Sequence, residues 1–195
     1  AVASAQKGLE NLGVKEGTRV AAFVPNCVET VILMLAVASS GGVWTSCSPD
    51  FGSQGVIDRF GQVEPEVLIV ANGYNYNGKT FSLEEKINGV LDQIECIQHT
   101  ICIEFVSLTY NLNHSSVITY DELLLSDLDK PQFKQLPFDH PLYIMYSSGT
   151  TGPPKSIVHG AGGTLIQHLK EHQLQCDVQR GRDTLFWFTP CGWMM

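Results

Sequence analysis

Residues Tyr143–Ser156 read Tyr-Ile-Met-Tyr-Ser-Ser-Gly-Thr-Thr-Gly-Pro-Pro-Lys-Ser. The hydroxyls of Ser147, Ser148, Thr150 and Thr151 alternate with Gly149 and Gly152, and Pro153, Pro154 and Lys155 follow. The glycines admit positive φ and let backbone approach a ligand closely. Successive N–H groups in such a loop can form an anion-binding concavity, and the hydroxyls add rotatable donors. Lys155 adds a point charge. Together these groups suit a polyphosphate. Clusters of Gly, Ser, Thr and Pro are also common in plain surface loops, but this one follows an apolar run, Leu142–Tyr146, and ends in a lysine. Gly149–Ser156 nearly matches G-x-x-x-x-G-K-[ST], yet Pro154 takes the place of the second glycine and removes an N–H. It is not a Walker loop, and a P-loop NTPase is the lesser reading.

Other residues carry chemistry with weaker patterns. His168, Glu171 and His172 match H-x-x-E-H, but a zinc site of that kind needs a downstream acid and no Glu follows position 171. A charged helical face is expected there instead. Gly160–Gly163, after His159, is expected to allow close packing or a sharp entry into a helix. Lys79, after the turn Asn77-Gly78, reads as a solvated loop lysine, Arg59 as the partner of a carboxylate, and Trp193 as a core aromatic.

The elements that must position the loop are legible from periodicity. Val2, Ala5, Leu9 and Leu12 recur at helical spacing, closed by Gly13. Strands are expected at Arg19–Val24, Val43–Cys47, Val67–Ala71 and Thr100–Val106. Cys27–Ala38 is apolar almost all round and reads as a buried helix. Ser53 is placed as the cap of a helix facing inward through Val56, Ile57, Phe60 and Val63. Capping boxes are read at Ser82/Glu85 and Thr164/Gln167, the second opening a helix with Leu165, Ile166, Leu169 and Leu174 towards the core. A short helix is expected at Asp121–Leu125 and a closing strand at Leu185–Thr189. The β-α alternation implies α/β architecture: a parallel sheet layered with helices. Residues 1–125 form its α/β subdomain, and 126–195 hold the connector, the loop and the start of a second one.

The 195 residues carry 12 basic and 20 acidic side chains, a net charge of −8. That argues against a broad nucleic-acid or anionic-membrane surface. An acidic chain that binds polyphosphate must gather its cations locally, beside a divalent metal. Six cysteines without a C-x-x-C pair point to a reducing compartment. The longest apolar run, Val31–Ala38, is too short to span a bilayer. With no leader visible and no initiator Met, the chain reads as a fragment of a cytosolic protein.

Ser147–Lys155 resembles the phosphate-binding loop of the adenylate-forming enzymes, the superfamily of acyl-CoA synthetases, luciferases and peptide-synthetase adenylation domains. Val158–His172, Ser48–Gly52, Asp58–Phe60, Tyr76–Lys79 and Gly192–Met195 are closer still to its acetoacetate-activating branch, so the resemblance covers essentially the whole chain. It implies an incomplete part of the large N-terminal domain of such an enzyme. It also implies ATP-dependent ligation of acetoacetate to coenzyme A through an acetoacetyl-AMP intermediate. Ser147, Ser148, Gly149, Thr150, Thr151, Gly152 and Lys155 would hold the ATP phosphates. Lys155, Thr150 and Thr151 would be catalytic, with Thr150 or Thr151 on Mg²⁺. Lys79 would lie near the CoA nucleotide and Trp193 would close the acyl pocket. The partners implied are small molecules. Alternatives are another short-chain acyl-CoA synthetase, similar to acetyl-CoA synthetase, or a non-catalytic truncated nucleotide-binding form. Ser156 departs from the pattern, since many relatives have glycine there. Adenine- and ribose-binding motifs, a metal-binding glutamate, a hinge and the lid with its lysine are absent from the chain. The chain alone is therefore expected to show little or no synthetase activity.

Overall fold

The computed structural model describes residues 1–124, 130–147 and 152–193. In chain order its elements are Val2–Asn11 (α1), Arg19–Phe23 (β1), Val28–Ser39 (α2), Val43–Cys47 (β2), Ser53–Val63 (α3), Val67–Ala71 (β3), Gly73–Tyr76 (β4) and Lys79–Ser82 (β5). There follow Glu84–Leu91 (α4), His99–Ile103 (β6), Val117–Thr119 (β7), Tyr120–Leu123 (α5), Pro141–Ser147 (β8), Lys155–Gly160 (β9) and Ala161–Leu169 (α6), which runs on into a π-helical stretch, Lys170–Gln175.

β1, β2 and β3 are short, mostly apolar runs, the composition of strands buried on both faces. They form the middle of a seven-stranded sheet ordered β7-β6-β3-β1-β2-β8-β9. Every neighbouring pair in it is parallel except β8 with β9. The chain moves from β1 to β2 in one direction and returns past β1 to β3. Right-handed crossovers therefore send α2 and α3 to opposite faces. α1 packs on α2 and α3 on α4, and Phe23, Leu33, Phe60, Leu68, Ile69 and Ile101 are fully buried between them.

Local sequence predicts most of these elements, and the departures have identifiable causes. β3 ends at Ala71, the bound expected for it, but β4 and β5 then form an antiparallel hairpin. Asn77 and Gly78 turn it with φ of 48° and 72°, the backbone that an Asn-Gly hairpin turn requires. Asn72 itself is buried: its amide donates to the carbonyls of Val106 (2.7 Å) and Leu108 (3.0 Å) and accepts from Val106 N (3.0 Å). Ser53 is the first helical residue of α3, behind Gly52. Ser82 Oγ accepts from Glu84 N at 3.2 Å, so the expected Ser82/Glu85 box gives way to a bond one residue nearer. The reciprocal box lies at Thr119/Glu122, a T-x-x-E spacing that the sequence also carries.

The Thr164/Gln167 box is overturned. α6 starts three residues earlier than Thr164, at Ala161. His140 O accepts from Ala161 N (2.8 Å) and Phe138 O from Gly162 N (2.9 Å), which satisfies two of the first-turn donors without a side-chain cap. A Cβ on Gly162 would collide with the Phe138 ring, so this glycine serves the close packing expected of Gly160–Gly163. Leu165, Ile166, Leu169 and Leu174 face outward rather than to the core. Leu185–Thr189 forms no strand, because no described strand lies beside it to pair, and Phe188 is 88% exposed. α2 is not buried all round either: Leu33, Ala36 and Val37 face the sheet, while Val28 is 70% exposed. Apolar spacing tells which residues share a face, but not what covers it.

Candidate active site

β1, β2 and β8 lie side by side, and the chain leaves them at the same carboxyl edge through Asn26, Cys47 and Ser147. In open parallel sheets that edge is where ligands bind. Two cavities occupy it. The larger, about 740 Å³, is bounded by α2 (Thr30, Val31, Met34), β2 (Trp44, Ser46), β8 (Tyr143, Met145) and β9 (Val158, His159), with Gly163, Thr164, Gln167 and His168 of α6 closing one side. The smaller, about 460 Å³, lies between Ser46–Ser48, Phe51 and Arg59 on one wall and Tyr146–Ser147 on the other. Ser46, Cys191, Gly192 and Trp193 belong to both.

The segment between the cavities is held by the chain leaving β1. Cys191 N donates to Asn26 Oδ1 at 2.7 Å, and Asn26 Nδ2 donates to Thr189 O. One carboxamide thus replaces a strand partner. Gly192 then crosses β2 with a φ of 92°, and a Cβ there would strike the Ser46 carbonyl. Only glycine combines that backbone with that approach.

On the opposite wall, Thr45 Oγ1 hydrogen-bonds both the Ile144 carbonyl (2.9 Å) and the Tyr146 hydroxyl (2.8 Å). Arg59 was expected to pair with a carboxylate. Among the described residues no carboxylate pairs with it. Its guanidinium lies 4.5 Å from the centre of the Phe51 ring and 5.8 Å from that of Tyr146, and Nη1 donates to Gly55 O at 2.7 Å. The aromatic faces take the place of an anion. Burial pushes the Cys47 thiol up to about 12 against the pull of the Arg59 charge. Burial, aided by nearby Cys27, pushes Cys191 up to about 11. Burial also raises the Tyr146 phenol. These groups therefore stay neutral at physiological pH, and Arg59 supplies the positive charge of the smaller cavity.

Of the loop residues singled out in the sequence, Ser148, Gly149, Thr150 and Thr151 lie outside the described residues. Ser147 ends β8, lines the smaller cavity and pairs with Lys155, the exposed first residue of β9. Gly152 holds a φ of 125°. Trp193 is 58% exposed, so it is not a core aromatic; it stands at the junction of the cavities. Lys79 starts β5 and lines neither cavity. His168 and His172 stack with ring centres 6.3 Å apart, and Glu171 accepts from Gln167 at 2.6 Å. No group of three metal-ligating side chains stands together among the described residues. Sequence reasoning missed Asn26 and Thr45. Pro25-Asn26 carried a signal, but only as a strand terminator.

Two cavities at the carboxyl edge of a mainly parallel sheet mark a ligand-binding α/β fold, and the chain belongs to the family described as AMP-binding enzyme, which it matches over residues 1–195. It is 47% identical over 197 residues to the acetoacetyl-coenzyme A synthetase of Rhizobium meliloti (strain 1021), covering 100% of this chain and 30% of that protein. Malonamoyl-CoA synthetase of Penicillium aethiopicum is 41% identical over 198 residues, covering 97% of this chain and 27% of that one. The solved structure of acetoacetyl-CoA synthetase from Streptomyces lividans superposes with a TM-score of 0.92 at 42% identity, covering 99% of this chain and 29% of that chain. The chain thus spans about 30% of the length of the relatives it matches. No helix among the described residues is long and apolar enough to cross a membrane.

Proposed function

We propose that the protein carrying this chain ligates acetoacetate to coenzyme A in two steps, with acetoacetyl-AMP between them. The observation that carries this reading is the pair of cavities meeting at Ser46 and Gly192–Trp193, one of them reaching Ser147 at the mouth of the loop. The largely apolar larger cavity suits a short acyl group, with Trp193 against it. Its carboxylate attacks the α-phosphorus of ATP and pyrophosphate leaves. The thiol of CoA then attacks the acyl carbon, and AMP departs with the electron pair of the broken C–O bond. The chain's part is to position groups and to stabilise developing charge. Ser147, Ser148, Thr150 and Thr151 donate to the phosphates, the glycines open backbone N–H groups to them, and Lys155 adds its charge. Thr150 or Thr151 would hold Mg²⁺ through its hydroxyl, and the metal would supply neutralisation of phosphate charge. Lys79 is assigned to the CoA nucleotide. The six free cysteines support a cytosolic setting.

A second reading, another short carboxylic acid in place of acetoacetate, is favoured by the likeness to malonamoyl-CoA synthetase. The test is acid-dependent ATP–pyrophosphate exchange by the full-length protein across a panel of short acids. Acetoacetate is expected to give the highest kcat/KM, and Lys155→Ala to reduce it at least tenfold. Preference for another acid would move the assignment to the second reading. No exchange with any acid would overturn both. The 195-residue chain alone is expected to give none.

A further inference from the structure

Gln62, on the exposed side of α3, reaches across to the exit of the phosphate loop. Its Nε2 donates to Pro154 O at 2.8 Å and to Asp58 O at 2.6 Å, while its Oε1 accepts from Ser156 Oγ at 3.0 Å. Both N–H groups and the carbonyl are therefore employed. Flipping the amide would set its oxygen against two carbonyls, so the orientation is dictated by its partners. The two loop partners flank Lys155, whose backbone pairs with Ser147 across the mouth of the loop. The hydroxyl of Ser156 is spent on Gln62. Arg59, three positions earlier and hence on the same side of α3, lies 5.8 Å from the ring of Tyr146 at the loop's entrance. One helix thus touches both stems of the loop.

We propose that Gln62 is a positioning residue for ATP: with Ser156 it clamps the exit stem, and so fixes where Lys155 stands as the chain enters β9. This rests on reading residues 147–155 as the phosphate-binding loop. Gln62→Met keeps the length of the side chain and removes all three bonds. Each net hydrogen bond is worth about fivefold in an equilibrium, so the KM for ATP is expected to rise about fivefold to tenfold in pyrophosphate exchange by the full-length protein. The KM for the acid and the melting temperature should stay nearly unchanged, since the residue is exposed. Ser156→Ala should show a smaller rise, and adding it to Gln62→Met should change nothing further. The backbone amides of Gly152, Lys155, Ser156 and Ile157 should exchange hydrogen faster in Gln62→Met. That readout holds even if no acid supports exchange, in which case the proposed function falls and the clamp is judged alone. Unchanged amide exchange, equal rises in both KM values, or fully additive effects of the two substitutions would overturn the clamp.

Discussion

The carboxamide of Asn26 and the backbone of Cys191 face each other across the mouth of the two cavities, with Cys191 N 2.7 Å from Asn26 Oδ1. The residues are 165 positions apart, so this bond sets the wall between the cavities where no regular element does. Asn26→Ala removes both bonds of the amide and is expected to cost about 1–3 kcal/mol locally. Asn26→Asp keeps the acceptor for Cys191 but turns an oxygen on the Thr189 carbonyl, and should do no better. Hydrogen exchange at Cys191 and the KM for the acid in the full-length protein are the readouts; both should rise, the KM about fivefold.

Gly192 carries a sharper constraint. Its φ of 92° lies in the left-handed region, which costs any other L-residue about 1–2 kcal/mol, and an added Cβ meets the Ser46 carbonyl. Gly192→Ala should therefore push Trp193 off the junction. Acid-dependent exchange is expected to fall at least tenfold, with the KM for ATP moving much less.

Asn72 is a buried polar residue at the carboxyl end of β3. Asn72→Leu takes the side-chain partner from Val106 N and Leu108 O, while Val106 O keeps the bond from Leu108 N. At about 1–3 kcal/mol for a buried unsatisfied group, urea unfolding should show a loss of about 1–3 kcal/mol.

Stability should fall in alkali. Burial raises the thiols of Cys47 to about 12, Cys102 to about 11 and Cys191 to about 11. The unfolded chain releases these protons near the usual thiol value, about 8.5, while the folded chain keeps them. Their contribution is full below that pH and is lost as pH rises through about 11 to 12. Denaturation midpoints should be level from pH 7 to about 8.5 and decline from about pH 9. Cys47→Ala should flatten the decline. A midpoint still level at pH 10.5 would contradict this.

How far the sequence could be read depends on where each element's partners lie. β2, β3 and the helical face of Val56 and Phe60 were legible because a strand buried on both faces and an amphipathic helix write their environment into their own spacing. Leu165, Leu185 and Val28 were misread because an apolar residue does not say which surface meets it. Thr164 was misread as a cap because α6 draws its first hydrogen bonds from the carbonyls of Phe138 and His140, about 20 residues upstream.

Taken alone, the order of hydroxyls, glycines, prolines and lysine from Ser147 to Lys155 pointed to a polyphosphate ligand, because donor chemistry is a property of residue types at adjacent positions. Tertiary structure decided which distant groups surround that loop. Asn26 against Cys191, Arg59 between Phe51 and Tyr146, and Gln62 astride Lys155 are contacts made by crossovers of a parallel sheet. Long-range juxtapositions of that kind leave no local periodicity to read.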